Sequence, residues 1–259
     1  LLKSYVAVAN DDAQAWFLLG RTAIEQGNAR PAVEDYLLHA QTLDTLARDS
    51  VAEAQTRNAL GIGFERLGQL DAAADEYQRA TAIREKLDDK PGLAKTLRNL
   101  AIVQAEQGAR DDAERTLTRA QQLLVALGDR SSLGDLYNDR GVVAEEAGDF
   151  AAALAAYRQA YALRQQTDDP AAQAESLNNI GFASYRMGDF DNAAVYWKQA
   201  FEQYRKLGDR TGTLHITQSM ALLDIAHGQF GKARAGLTDS RNDAQQHQMP
   251  EEAAVANIS

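Results

Sequence analysis

No cysteine occurs in the 259 residues. That removes disulfides and thiolate metal ligands, and it is compatible with a reducing compartment. Proline is scarce, with four in the whole chain, and the alanine-rich remainder favours helix over sheet. No apolar run approaches the length of a bilayer-spanning helix, so no membrane segment is expected. Excess positive charge is missing as well. The formal net charge is −10, the reverse of the basic face that phosphate-backbone binding needs, so no nucleic-acid partner is expected. Acidity by itself favours solubility and tolerance of basic partners.

What the chain does contain is a period. Gly27, Gly68, Gly108, Gly148, Gly188 and Gly228 recur at one constant interval, except that the first step is longer by a single position. Seven positions before each stands a small residue: Gly20, Gly61, Ala101, Gly141, Gly181 or Ala221. An alanine series (Ala40, Ala80, Ala120, Ala160, Ala200) and an aspartate series (Asp49, Asp89, Asp129, Asp169, Asp209) keep the same spacing. Between these marks, stretches such as "SLGDLYNDRGVVAEEAG" and "FAAALAAYRQAYALRQ" place apolar residues three and four apart, the helical period. Glycine suits the left-handed cap that ends a helix, and aspartate suits the N-cap of the next. Each unit therefore reads as two antiparallel helices. A small residue midway along the first admits close approach, and a large one in the second (Leu37 or Tyr36, Tyr77, Leu117, Tyr157, Trp197, Leu237) fills the space between units. The one extra residue between Gly27 and Ala40 is expected to be a turn insertion.

"WFLLG", "NALG", "NLA" and "NNIG", each followed by a glycine turn, an alanine and an aromatic, resemble the tetratricopeptide repeat. The 40-residue length and "LGDR" linkers resemble the longer variety of kinesin light chains, LGN-type scaffolds and bacterial regulators. The resemblance implies an all-α, right-handed α-α superhelical solenoid of antiparallel helix pairs. Six repeats are expected over 13–249 (about 13–53, 54–93, 94–133, 134–173, 174–213 and 214–249). Residues 1–12 read as the tail of a preceding repeat and 250–259 as the start of a truncated seventh, so the chain is expected to be a piece of a longer protein. Without obvious end caps, end-to-end self-association is an expectation too.

In such a solenoid the first helices line the concave wall. Three positions before the small residue stand Phe17, Asn58, Arg98, Asn138, Asn178 and Gln218; two before it, Leu18, Ala59, Asn99, Asp139, Asn179 and Ser219; one after it, Arg21, Ile62, Ile102, Val142, Phe182 and Leu222. An amide ladder therefore runs beside an apolar ladder, and an amide offers the donor and acceptor that an extended peptide backbone requires. First helices ~10 Å apart would meet a strand rising ~3.3 Å per residue about once every three residues. The rungs from Asn58 to Gln218 would then hold about a dozen peptide residues. The family resemblance implies the same use of asparagine.

Phe182 and Tyr185 add aromatic anchors, whereas Phe190, Trp197, Phe201 and Tyr204 are expected to pack. Lys95, Arg98 and Arg66 would face the acidic part of a partner, and Asp135, Asp139, Glu145 and Glu146 its basic part. Arg57 and Arg140 occupy slots that are apolar in the family pattern; Arg140 is expected to reach Asp139, Glu146 or a neighbouring acid. Loss of Asn138 or Asn178, read as exposed, is expected to change stability by no more than ~0.5 kcal/mol.

No catalytic constellation breaks the repeat. His39, His215, His227 and His247 show no metal-ligand spacing, and the glycines belong to the repeat and form no phosphate loop. No catalytic residue, metal or cofactor is expected. The sequence reads as a non-enzymatic, cytoplasmic scaffold binding a protein or peptide. The alternative is a regulatory or sensor segment of a larger bacterial signalling protein (a kinase, cyclase or transcription regulator) that docks on its own effector domain.

Overall fold

In the computed structural model of the protein, the described residues are 2–247. The seventh repeat expected from 250 onward lies outside them. Among the described residues there is no strand, and the chain divides into two compact units, Leu1–Ser132 and Leu133–Ser259.

The first unit opens with a short helix α1 (Leu2–Val6), followed by α2 (Ala13–Glu25). The run α3 is composite: Ala29–Pro31, a π-helical stretch Ala32–Leu37, and Leu38–Ala47. Then come α4 (Ser50–Arg66), α5 (Leu70–Lys86), α6 (Lys90–Glu106) and α7 (Arg110–Leu127). The helix α8 (Arg130–Glu146) starts at the end of this unit and lies mostly in the second. There it is followed by α9 (Phe150–Gln166), α10 (Pro170–Arg186), α11 (Phe190–Leu207), α12 (Arg210–Ala226) and α13 (Phe230–Gln246). Successive helices pair as hairpins inside each unit.

The punctuation works as the residues dictate. At the end of α4, Gly68 takes a φ of 70° and its N–H meets Glu65 O at 2.8 Å, while Gln69 N–H reaches back to Phe64 O at 2.9 Å. This double closure satisfies carbonyls that a helix end leaves open. Asp49, Asp89, Asp129, Asp169 and Asp209 each accept from a backbone N–H three residues on, at 2.9–3.0 Å. Inside the hairpins the caps are uneven. Asp149 and Asp189 cap their helices with a side-chain bond, and Gln69 and Gln229 do not.

Where the small residue of a first helix is glycine, it receives the large residue of its own hairpin partner. A Cβ built at Gly20, Gly61, Gly141 or Gly181 would collide with Leu37, Tyr77, Tyr157 or Trp197 respectively. Leu37, Tyr77, Leu117 and Trp197 are fully buried and Tyr157 nearly so. Leu37, not Tyr36, fills the first slot; Tyr36 lies against Trp16 with ring centroids 6.1 Å apart. Tyr77 and Tyr157 each donate to a glutamate on the first helix, Glu65 at 2.9 Å and Glu145 at 3.0 Å.

The extra residue of the first repeat is not in a turn, as expected, but inside α3. Leu38 N–H bonds Val33 O, five residues back, so the helix widens locally to take it in.

Candidate functional site

In the first unit, α4 and α6 run side by side as successive first helices, joined by an amide contact. Asn58 on α4 is buried, 6% exposed. Its Oδ1 accepts from the Thr96 hydroxyl at 3.1 Å and from Asn99 Nδ2 at 3.3 Å, both on α6. Asn99 itself is half-buried and makes no other side-chain hydrogen bond among the described residues. Ile62 and Ile102 are half-buried beside this pair, Ile62 packing against the cores of two hairpins. Arg98 is half-buried and helps to hold the Asp129 carboxyl below its usual range, after the hydrogen bonds from Ser132.

The second unit repeats the arrangement. Asn138 on α8 is 9% exposed. Its Oδ1 accepts from Asn179 Nδ2 at 2.8 Å, and its Nδ2 donates to Glu175 Oε1 at 3.5 Å. Asn179 is half-buried, with no further side-chain bond among the described residues. Asn178 differs from both. Its backbone carbonyl accepts from the Trp197 indole N–H at 3.1 Å, while its side-chain oxygen is buried without a partner. Val142 and Phe182 are half-buried; Arg186 lies over the rings of Phe150, at 4.2 Å, and Phe182, at 5.7 Å. Tyr185 rests against Phe190 at 5.4 Å and Trp197 at 5.8 Å. Asp139, Gln218 and Leu222 are half-buried.

The expectation of a wall of free amides is corrected at Asn58 and Asn138. Both are sealed between adjacent first helices, and both are already bonded. The reason lies in helix geometry. A residue three positions before another lies only about 60° from it around the helix, so Asn58 stays near the face of Gly61. Two positions before the small residue, the offset is about 160°, and there stand the less buried Asn99 and Asn179. What the structure brings together is therefore two diagonal pairs, Asn58–Asn99 and Asn138–Asn179.

Several charges singled out in the sequence, on the groove or in the apolar slots, are engaged locally. Arg57 bonds Glu53 at 2.7 Å and Glu76 at 2.8 Å, a closed structural triad. Arg140 lies over the Tyr137 ring at 5.6 Å. Asp135 accepts from Arg164 Nη2 at 3.1 Å, and Glu145 accepts from Tyr157. Burial pushes the Glu145 carboxyl above its usual range, against the opposing Tyr157 hydrogen bond and the Arg186 charge.

A concave pocket of about 480 Å3 opens in the first unit. The first helices α2, α4 and α6 contribute Phe17, Arg21, Ile62, Arg66 and Lys95, and the last turn of α5 contributes Arg84. Arg66 donates to the Ile24 carbonyl. Sequence reasoning named Lys95 and Arg66 but missed Arg84 and its counterpart Arg164. The available signal was a pair of arginines two repeats apart, in a slot where Leu124 and Tyr204 also stand.

A family model for the tetratricopeptide repeat matches residues 52–124, 92–166 and 172–246. The chain belongs to the tetratricopeptide repeat family. No curated protein matches it by sequence. Among solved structures, a Rap protein complexed with competence and sporulation factor is similar at 14% identity and TM-score 0.72, over 94% of this chain and 72% of that one. The Rap conjugation gene regulator of plasmid pLS20, in complex with the Phr* peptide, gives 16% and 0.70 over 95% and 72%. A signal transduction ATPase with numerous domains and a tetratricopeptide repeat sensor, from Pyrococcus horikoshii, gives 16% and 0.71 over 98% of this chain but 40% of that one. These likenesses establish the tetratricopeptide solenoid fold of antiparallel helix pairs. No helix among the described residues is long and apolar enough to cross a membrane.

Proposed function

We propose that this tetratricopeptide repeat protein is a non-enzymatic scaffold that binds an extended peptide or partner segment. Each unit carries a rung of its own, Asn99 in the first and Asn179 in the second, with Asn58 and Asn138 as the buried residues that position them. The observation carrying this reading is the repeated pair. In each, a buried asparagine takes one N–H of an outer asparagine (3.3 Å at Asn58, 2.8 Å at Asn138) and leaves the outer carbonyl without a donor among the described residues. An amide fixed in this way can accept from a ligand backbone N–H at little further entropic cost. Arg98, Ile62 and Ile102 flank the first rung. Asp139, Val142, Asn178, Phe182 and Tyr185 flank the second, with Gln218 and Leu222 as contacts from α12. The Phr* peptide bound to the similar Rap regulator of plasmid pLS20 supports the same use of the fold.

The test is selection of peptides from a random dodecapeptide display library, followed by affinity measurement. Asn99→Ala combined with Asn179→Ala should weaken the selected peptides at least tenfold while the melting temperature moves by a degree or two. Undiminished binding would overturn the rung assignment. If no peptide is selected and the double variant alters only the output of a neighbouring domain in the full-length protein, the chain is a regulatory segment docking on its own effector.

A further inference from the structure

Arg84 and Arg164 stand two repeats apart, each in the last turn of a second helix, with side chains 7% and 6% exposed. In the second unit the guanidinium is supplied with acceptors. Arg164 Nη1 donates to Ala172 O at 3.0 Å and Ser176 Oγ at 2.8 Å, and lies 3.4 Å from Glu175 Oε2; Nη2 donates to Asp135 at 3.1 Å. At the matching positions of the first unit, Gln55 replaces Asp135 and Lys95 replaces Glu175. Ser176 becomes Thr96, whose hydroxyl is turned to Asn58. Arg84 is left with one ion pair among the described residues, Nε to Asp89 Oδ2 at 3.9 Å, too long for a hydrogen bond. Its Nε, like that of Arg164, is buried with no hydrogen-bond partner, so the two sites differ in what their Nη groups meet. Burial pushes its pKa down, with only the Asp89 charge opposing.

The side chain that replaces the missing acid makes matters worse for an isolated chain, because Lys95 is a second cation with no ion pair among the described residues. Around Arg84, the pocket holds Arg21, Arg66 and Lys95 against one acid, Glu25, which sits 3.3 Å from Arg21. This concentration of positive charge lies in a chain whose net charge is −10. A buried guanidinium without hydrogen-bonded counter-charge is costly, and a carboxylate placed in its fork removes that cost.

We propose that the pocket of the first unit is a subsite for an acidic side chain, aspartate or glutamate, of the bound segment. Its carboxylate lies between Arg84 and Lys95, where Asp135 and Glu175 serve Arg164 in the second unit. The inference deepens the peptide-binding reading and rests on it for the source of the acid. Carboxylate oxygens at 3.1 and 3.4 Å around Arg164 set the size of the slot, and the planar fork of arginine suits two such oxygens.

The experiment titrates the protein at constant ionic strength with the end-blocked tripeptide Gly-Glu-Gly, its Gly-Gln-Gly counterpart and inorganic phosphate. It follows the Nε–Hε NMR signal of Arg84, assigned with Arg84→Lys. The glutamate peptide should shift that signal saturably and the glutamine peptide should not. Lys95→Glu, which supplies the acid from within, should raise the melting temperature of the free protein and weaken the glutamate peptide at least tenfold. The absence of a saturable shift, an equal response to glutamine, or binding unchanged by Lys95→Glu would each overturn the proposal. Phosphate binding ten times more tightly than the glutamate peptide would overturn it in favour of a phosphate site. A saturable, Lys95-sensitive response in a protein that selects no dodecapeptide supports the subsite and removes the wider groove reading.

Discussion

The two units share nearly every packing device and part company over one buried cation. Tyr77 over Gly61 and Tyr157 over Gly141 are the same contact, and so are Asn58–Asn99 and Asn138–Asn179. Yet Arg164 is enclosed by acids of its own unit, whereas the matching surroundings of Arg84 are an amide and a second cation. Apolar slots are constrained by volume, so a repeat tolerates little change in them. A polar slot at the rim is constrained only by charge balance, and that balance can be completed from outside. The second unit is electrostatically finished at this position; the first is not.

The comparison can be broken or sharpened in three ways. The largest effect is expected where the units agree. Asn58→Ala strands the Thr96 hydroxyl and the Asn99 amide, and should cost about 3 kcal/mol, with about 2 kcal/mol for Asn138→Ala, read as urea unfolding midpoints at unchanged m value. Losses below ~0.5 kcal/mol in both, the range of ordinary surface substitutions, would return these amides to the status of solvated groups. Next comes a partial conversion of one unit into the other. Glu175→Lys puts beside Arg164 the cation that stands beside Arg84, leaving Asp135 in place, and should cost about 1–2 kcal/mol. That is below the value for a fully buried pair, because Glu175 is about half exposed and Asp135 remains at 3.1 Å. A melting temperature unaffected by Glu175→Lys would show that acids are not what satisfies Arg164.

The smallest effect concerns pH. Burial raises the Asp44 carboxyl in the first unit, and Glu145 and Glu175 in the second. A carboxyl whose folded pKa is raised binds more protons in the folded than in the unfolded state between its ordinary range and its folded value. Stability therefore falls as pH rises through that window. The lowered Asp129 carboxyl acts only below its ordinary range and does not oppose this. The melting temperature should be slightly higher near pH 5 than at pH 7, and Glu145→Gln with Glu175→Gln should flatten the slope more than Asp44→Asn. A fall on mild acidification would contradict the assignment.

The fold was legible because the residues that set it are local. A glycine fixes a cap, an aspartate starts a helix, and a constant period places the next copy. Asn58 and Asn138 were misjudged because the face a helical residue presents depends on angular position relative to the packed stripe. The three-residue offset from Gly61 or Gly141 keeps them near that stripe, while the two-residue offset does not. Arg84 stayed hidden because its meaning is comparative. A lone arginine near a helix end reads as solvated, and it becomes informative only when Gln55 and Lys95 are seen where Arg164 has Asp135 and Glu175.

The widened stretch at Ala32–Leu37 carries a consequence of another kind. Leu37 follows Gly20 by 17 positions, where Tyr77, Tyr157 and Trp197 follow their glycines by 16, yet it still lands on its glycine. An inserted amino acid is thus healed within a single coil of the backbone, and no later hairpin has to be re-indexed. Tandem architectures of this type can lengthen by one residue without losing count.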